Sequence, residues 1–181
     1  MNKVRETMKS RSGTGVPLIL AVVLACIILS AAIFEYGRLL IVAQGVRDAA
    51  QSAVIDVATE NWADAYAGLR EGYSGGYRLS RTGWYTNVTS GNIYGRLKEV
   101  LAAEYESGKY VKYTGPDMEY SISGLTVNIV NAPFAPSDPN SISQLTVTGT
   151  IDVEVPLSFG FGHLPNMKIT MRFKSLYVPK F

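Results

Sequence analysis

The chain has 181 residues, 47% of them hydrophobic and 18% charged, enough for one helix-plus-domain unit and too few for two ordinary domains. That balance excludes intrinsic disorder, and the net charge of +2 argues against a nucleic-acid-binding protein. One cysteine excludes an intramolecular disulfide and any CxxC site, and one histidine excludes the multi-histidine metal sites, so most enzyme classes already fit poorly.

Residues 1–15, MNKVRETMKSRSGTG, carry Lys3, Arg5, Lys9 and Arg11 against the single acid Glu6. Val16–Phe34 follows as a run of 19 residues in which only Ser30 is polar. As a helix it spans about 28 Å, close to the hydrocarbon thickness of a bilayer. A buried core helix seldom stays apolar all round for that length. The basic residues lie on its N-terminal side, so the positive-inside rule predicts a cytoplasmic leader and everything after Glu35 outside. The outer part then holds 13 basic and 14 acidic residues, a near-neutral balance suited to meeting other proteins.

Two alternatives use the same residues. A cleaved secretory signal has an apolar region of about 7–15 residues, shorter than this run. A lipoprotein signal is suggested by Val23-Leu24-Ala25-Cys26, yet Ile27–Phe34 continues apolar where a lipidated cysteine opens a polar linker. Cys26 reads more simply as a small apolar helix residue.

Beyond the run, Leu39, Val42, Val46, Ala50, Ala53 or Val54, and Val57 recur at steps of three and four, with Gln44, Arg47, Asp48, Gln51, Ser52 and Asp56 on the other face. That is an amphipathic helix. No proline interrupts Val16 to Glu60, and Pro17 falls in the first turn, where its missing N–H costs nothing. One continuous helix of about 66 Å is predicted, from about Val16 to about Glu60. Ala43, Gly45, Ala49, Ala50 and Ala53 are small enough to let another helix approach. The predicted organisation is a cytoplasmic leader (1–15), a transmembrane and amphipathic helix (16–60) and an extracytoplasmic α+β domain (61–181).

A short basic leader ending in Gly15, then an apolar helix that carries on as an amphipathic one, resembles the type IV pilin-like proteins. Phe34-Glu35-Tyr36-Gly37-Arg38-Leu39-Leu40, followed by Ala43-Gln44-Gly45-Val46-Arg47-Asp48-Ala49-Ala50, resembles the TadE-like minor pilins, or pseudopilins. The likeness covers about Ser12–Ala58. It implies a prepilin peptidase cutting between Gly15 and Val16, and as further partners other pilin-like subunits, a major pilin and membrane platform proteins. It also implies helix contacts through Glu35, Arg38 and Arg47. The chain departs from the type IV pattern at Leu20, where these prepilins carry a glutamate that neutralises a neighbour's new N-terminal amine. A permanent, unprocessed anchor is the alternative this leaves open. Glu35 and Arg38, three apart on one helical face, also read as interfacial anchors with Tyr36, their ion pair worth only ~0.2–0.5 kcal/mol.

Asn61–Pro116 is broken by glycines, with one helix predicted over Ile93–Ser107 from Leu97, Val100, Leu101 and Tyr105, stopped by Gly108. Trp62, Tyr66, Tyr73, Tyr77, Trp84 and Tyr85 read as packing between helix and sheet, or as an aromatic binding surface. Arg70, Arg78 and Arg81 among them are too few to carry phosphate affinity. From Asp117 the texture alternates. Met118–Ile122 and Leu125–Ile129 are strands with Gly124 as a bulge or turn, and Ala132–Asn140 is a proline-broken loop. Leu145–Leu157 is a strand with a bulge at Gly149, and Lys168–Val178 is the last strand. Three or four antiparallel strands with one apolar face need a cover, and the amphipathic helix carries the matching stripe. The predicted fold class is therefore α+β, a long N-terminal helix packed on a small antiparallel sheet.

Catalytic patterns are missing. His163 lies in a Gly/Pro turn, Asp152 and Glu154 alternate on one strand face as solvent-facing acids often do, and no P-loop, HExxH or EF-hand loop occurs. Nothing in the spacing of Asp117, Asp138 and Asp152 points to calcium, and Asn87-Val88-Thr89 matches a glycosylation sequon with no further support. The sequence predicts a non-enzymatic, single-pass protein of the cytoplasmic membrane, without cofactor, metal or nucleic acid. The expected role is that of a pilin-like subunit or assembly component in adhesion or secretion. The alternative is an envelope protein whose outer domain binds a protein or the cell wall.

Overall fold

The structure, a computed structural model, describes residues 15–65, 75–130, 144–158 and 164–177, without the side chains of residues 62–65 and 79. Tyr66, Arg70, Tyr73, the 132–140 loop and His163 lie outside the described residues, as does the side chain of Trp62. Helix α1 runs Gly15–Ala65, longer at its C-terminal end than the apolar spacing predicted. The chain divides into two compact units, Met1–Leu40 and Ile41–Phe181.

In the first unit α1 has no apolar cover over Val16–Phe34. From Val16 to Phe34 the large apolar side chains remain between 48% and 78% exposed. It is the one helix, among the described residues, long and apolar enough to cross a membrane.

In the second unit the rest of α1 supplies core. Ala43, Val46, Ala49, Ala50, Ala53, Val54, Val57 and Ala58 are buried, as are Val147, Ile151, Val153 and Val155 of the sheet. The stripe of small residues is thus used within the fold rather than offered to a second helix. Only Gly45 of that set stays open, with nothing within 4 Å of where a Cβ would stand. Gln51 Nε2 donates to the Lys174 carbonyl at 2.8 Å, and Ser175 Oγ donates to the Gln51 carbonyl at 3.3 Å. Approach that close needs a residue as small as serine on the strand.

A small hairpin follows α1: β1 (Tyr77–Ser80) and β2 (Gly83–Thr86). Buried Asn61, on α1, donates to the Gly75 carbonyl and accepts from Asn87 Nδ2 at 3.0 Å, while Asn87 N donates to the Gly76 carbonyl. Asn87, the would-be glycosylation acceptor, therefore ties the hairpin to the helix.

Helix α2 runs Ser90–Leu101, shorter than predicted and starting earlier. Thr89 is its N-cap: Asn92 N donates to Thr89 Oγ1, and Thr89 N donates to Asn92 Oδ1 at 3.0 Å. Ala102 in the left-handed region ends it. Glu104–Glu106, predicted as the last helical turn, is instead strand β3; the local helical spacing lost to pairing with the next strand.

The main sheet is a five-stranded antiparallel meander in chain order: β3, β4 (Lys109–Thr114), β5 (Asp117–Val130), β6 (Leu145–Val155) and β7 (Met167–Tyr177). It has one strand more than the upper number predicted, because β3 and β4 lack a clean alternation. A two-residue turn, Ser107–Gly108, both with positive φ, joins these two. The ladder between β5 and β6 breaks at Gly124, whose φ of +63° would strain any side chain; a Cβ there would also displace the Asp152 carboxylate, 2.7 Å away. Gly149, expected as a bulge, sits in regular register between Val127 and Phe173. Its reason is space: a Cβ there would strike the Thr126 carbonyl and lie 2.5 Å from the Phe173 ring.

Candidate functional site

Gly15 and Val16, the predicted processing pair, open the described part of α1, and Val16 is 72% exposed. Glu35 and Arg38 form an ion pair at 3.5 Å with Glu35 buried. Arg47 is not with them; it belongs to the second unit and is exposed.

What Arg47 joins is a groove of about 580 Å³ over the sheet. Its floor is the cross-strand row Val127, Gly149, Phe173, and on either side run the rows Thr126, Thr150, Arg172 and Asn128, Thr148, Lys174. Register places the two flanking rows on the face opposite buried Phe173, and the 2.6 Å contact between the hydroxyls of Thr126 and Thr150 ties two of their members together. Three cations and several hydrogen-bonding side chains line it, and none of its ten residues is acidic. Neither Arg47, Arg172 nor Lys174 has a carboxylate partner among the described residues.

Three other cations of the unit, Lys109, Lys168 and Arg96, are paired within the fold. Lys109 and Lys168 each donate to one oxygen of Glu154 at 2.7 Å, and Glu154 is buried. These two hydrogen bonds hold its carboxyl below the ordinary carboxylate range against the opposing effect of burial, and raise Lys168 above its own. Glu154 is thus no idle solvent-face acid, as its alternation suggested, but the centre of a three-strand charge cluster. Its neighbour Asp152 accepts from Thr170 Oγ1 at 2.5 Å. Arg96 bonds Glu60 at 2.6 Å and Glu99 at 3.1 Å, linking α2 to α1.

Sequence reading missed the groove because its walls come from three strands whose register no local pattern reveals. One signal was legible: Lys168, Arg172 and Lys174 alternate along a strand with no acid in it. Among the described residues, no group of three or more His, Cys, Asp or Glu side chains is placed to hold a metal.

Fold and site together define a class: a membrane-grade helix whose continuation is built into a small α+β unit carrying a cationic groove. Comparison with protein-family models, with curated proteins and with solved structures finds no match to the chain.

Proposed function

We propose that this protein is a non-enzymatic, membrane-anchored pilin-like subunit or assembly component of a type IV, Tad-like pilus or secretion apparatus. The observation that supports this reading best is the division of labour along α1: one continuous helix, uncovered and apolar over Val16–Phe34, core-forming from Ala43 onward. That is what a subunit needs if it is to wait in a membrane and later leave it. Its apolar half serves in lipid first and against other helices afterwards, while the folded unit stays unchanged. The Glu35–Arg38 pair lets the end of the apolar segment carry charge without a net cost in sign. On this reading the basic leader lies in the cytoplasm, the unit that begins at Ile41 lies outside, and a prepilin peptidase cuts after Gly15.

Mass spectrometry of the N-terminus from native cells tests it. A mature chain starting at Val16 is the expected result. An intact Met1 would overturn the processing step and favour the second reading, an unprocessed single-pass envelope protein. Leu20, standing where the type IV pattern has glutamate, is the observation in favour of that second reading.

A further inference from the structure

The two edges of the five-stranded sheet carry opposite charge. At one edge, all three residues of β3 are exposed, Glu104, Tyr105 and Glu106, on a hairpin closed by the tight Ser107–Gly108 turn. Glu104 has no cationic partner among the described residues, and Glu106 accepts only from the Tyr113 hydroxyl, at 2.5 Å. At the other edge, β7 presents Lys168, Arg172 and Lys174 and no acid. Lys168 is tied to Glu154, which it shares with Lys109, and lies outside the groove, whose cations are Arg172, Lys174 and Arg47.

Register puts both sets on one face. Glu104 lies opposite Val111, Val111 opposite Ser121, Ser121 opposite Glu154, and Glu154 opposite Lys168. Side chains at even spacing along a strand share a face, so Glu104 and Glu106 face the same way as Arg172 and Lys174. The two carboxylates are two residues apart and so are the two cations, giving both pairs a repeat of about 6.6 Å.

We infer that copies of this chain associate head to tail, Glu104 and Glu106 of one copy docking on Arg172 and Lys174 of the next, with Arg47 at the end of the groove. The occupant is a second copy because the complementary charge, at matching spacing and on the matching face, is present on the same sheet. The contact is heterologous: it joins two different surfaces and leaves one of each open, so association continues past a dimer. Side chains carry it rather than a shared ladder, because Gln51 already occupies the Lys174 carbonyl. The inference rests on the reading of this protein as a subunit and names the partner surface. The N-terminal mass tests that reading without reference to this contact, so the two fail separately.

Zero-length carbodiimide coupling of the full chain in proteoliposomes, with isotopically light and heavy copies mixed, reads the contact directly. Light-to-heavy linkage of Glu104 or Glu106 to Lys174 is expected, falling at least tenfold with Arg172→Glu. Linkage between positions 104 or 106 and 174 should return in a chain carrying Glu104→Lys, Glu106→Lys, Arg172→Glu and Lys174→Glu together. It should also weaken as salt rises and the Debye length shortens from about 10 Å at 0.1 M. No mixed linkage, linkage indifferent to Arg172→Glu, or failure of the fourfold reversal to restore it would each overturn the inference. Capture of the groove by phosphatidylglycerol vesicles in place of a second copy would likewise overturn it.

Discussion

The two halves of α1 obey the same backbone geometry and opposite packing rules. Over Val16–Phe34 the helix is apolar on every side and touches nothing that would bury it. From Ala43 to Asn61 it is apolar on one stripe, and alanines dominate that stripe. The first half can carry large residues such as Leu, Ile and Phe because lipid accommodates any shape. The second half buries only alanine and valine side chains from Ala43 to Ala58, and the strand is small where it meets the helix backbone, as where Ser175 reaches the Gln51 carbonyl. Bulk therefore tracks the solvent each half was built for: lipid for one, a close-packed protein interior for the other.

The sharpest way to break this contrast is to charge each half separately. Leu24→Arg with Ile28→Arg costs about 5–7 kcal/mol of membrane insertion at the helix centre, and carbonate extraction should then release the protein. The thermal transition of the Ile41–Phe181 unit should persist. Val54→Asp puts an unpaired charge in the core, should cost about 4 kcal/mol, and should abolish that transition while the protein remains membrane-bound. If either variant affects both readouts, the two halves are not independent.

Gly149→Ala tests close packing within the sheet itself. Its Cβ would meet the Phe173 ring and the Thr126 backbone carbonyl, so a loss of about 2–3 kcal/mol is expected in calorimetry. Trimming Phe173 should rescue only part of this, because the carbonyl cannot move aside.

Glu154→Gln should cost about 1–2 kcal/mol, since two charge-assisted hydrogen bonds are lost but both lysines reach solvent. The carboxyl is depressed in the folded state, so its contribution is complete above the unfolded value of about 4.3 and disappears as pH falls through the lower folded value. Wild type and variant should therefore converge in denaturant midpoint only on the acid side. The smallest effect, about 1 kcal/mol, is expected for Thr89→Ala, which removes the N-cap of α2 and should show first as faster amide exchange in its opening turn.

The sequence by itself determined the elements whose signal is local. The apolar run announces a membrane-grade helix through length and composition, and three-four spacing extends it past Ala50. Strict alternation marks β6 and β7 nearly to their ends, Leu145–Val155 and Met167–Tyr177. From these, helix-on-sheet packing follows without coordinates, because each apolar face needs the other.

Tertiary structure alone decided what depends on register. Glu104–Glu106 carries a helical spacing yet becomes an edge strand, because pairing with Lys109–Val111 and the Ser107–Gly108 turn outweigh a weak local preference. Gly149 reads as a bulge in one dimension and proves to be a clearance between neighbouring strands. The cationic groove, the Glu154 cluster and the opposed charges of β3 and β7 join residues up to several strands apart. Side-chain periodicity says which face a residue takes, but only the pairing of one strand with the next says whom it meets there.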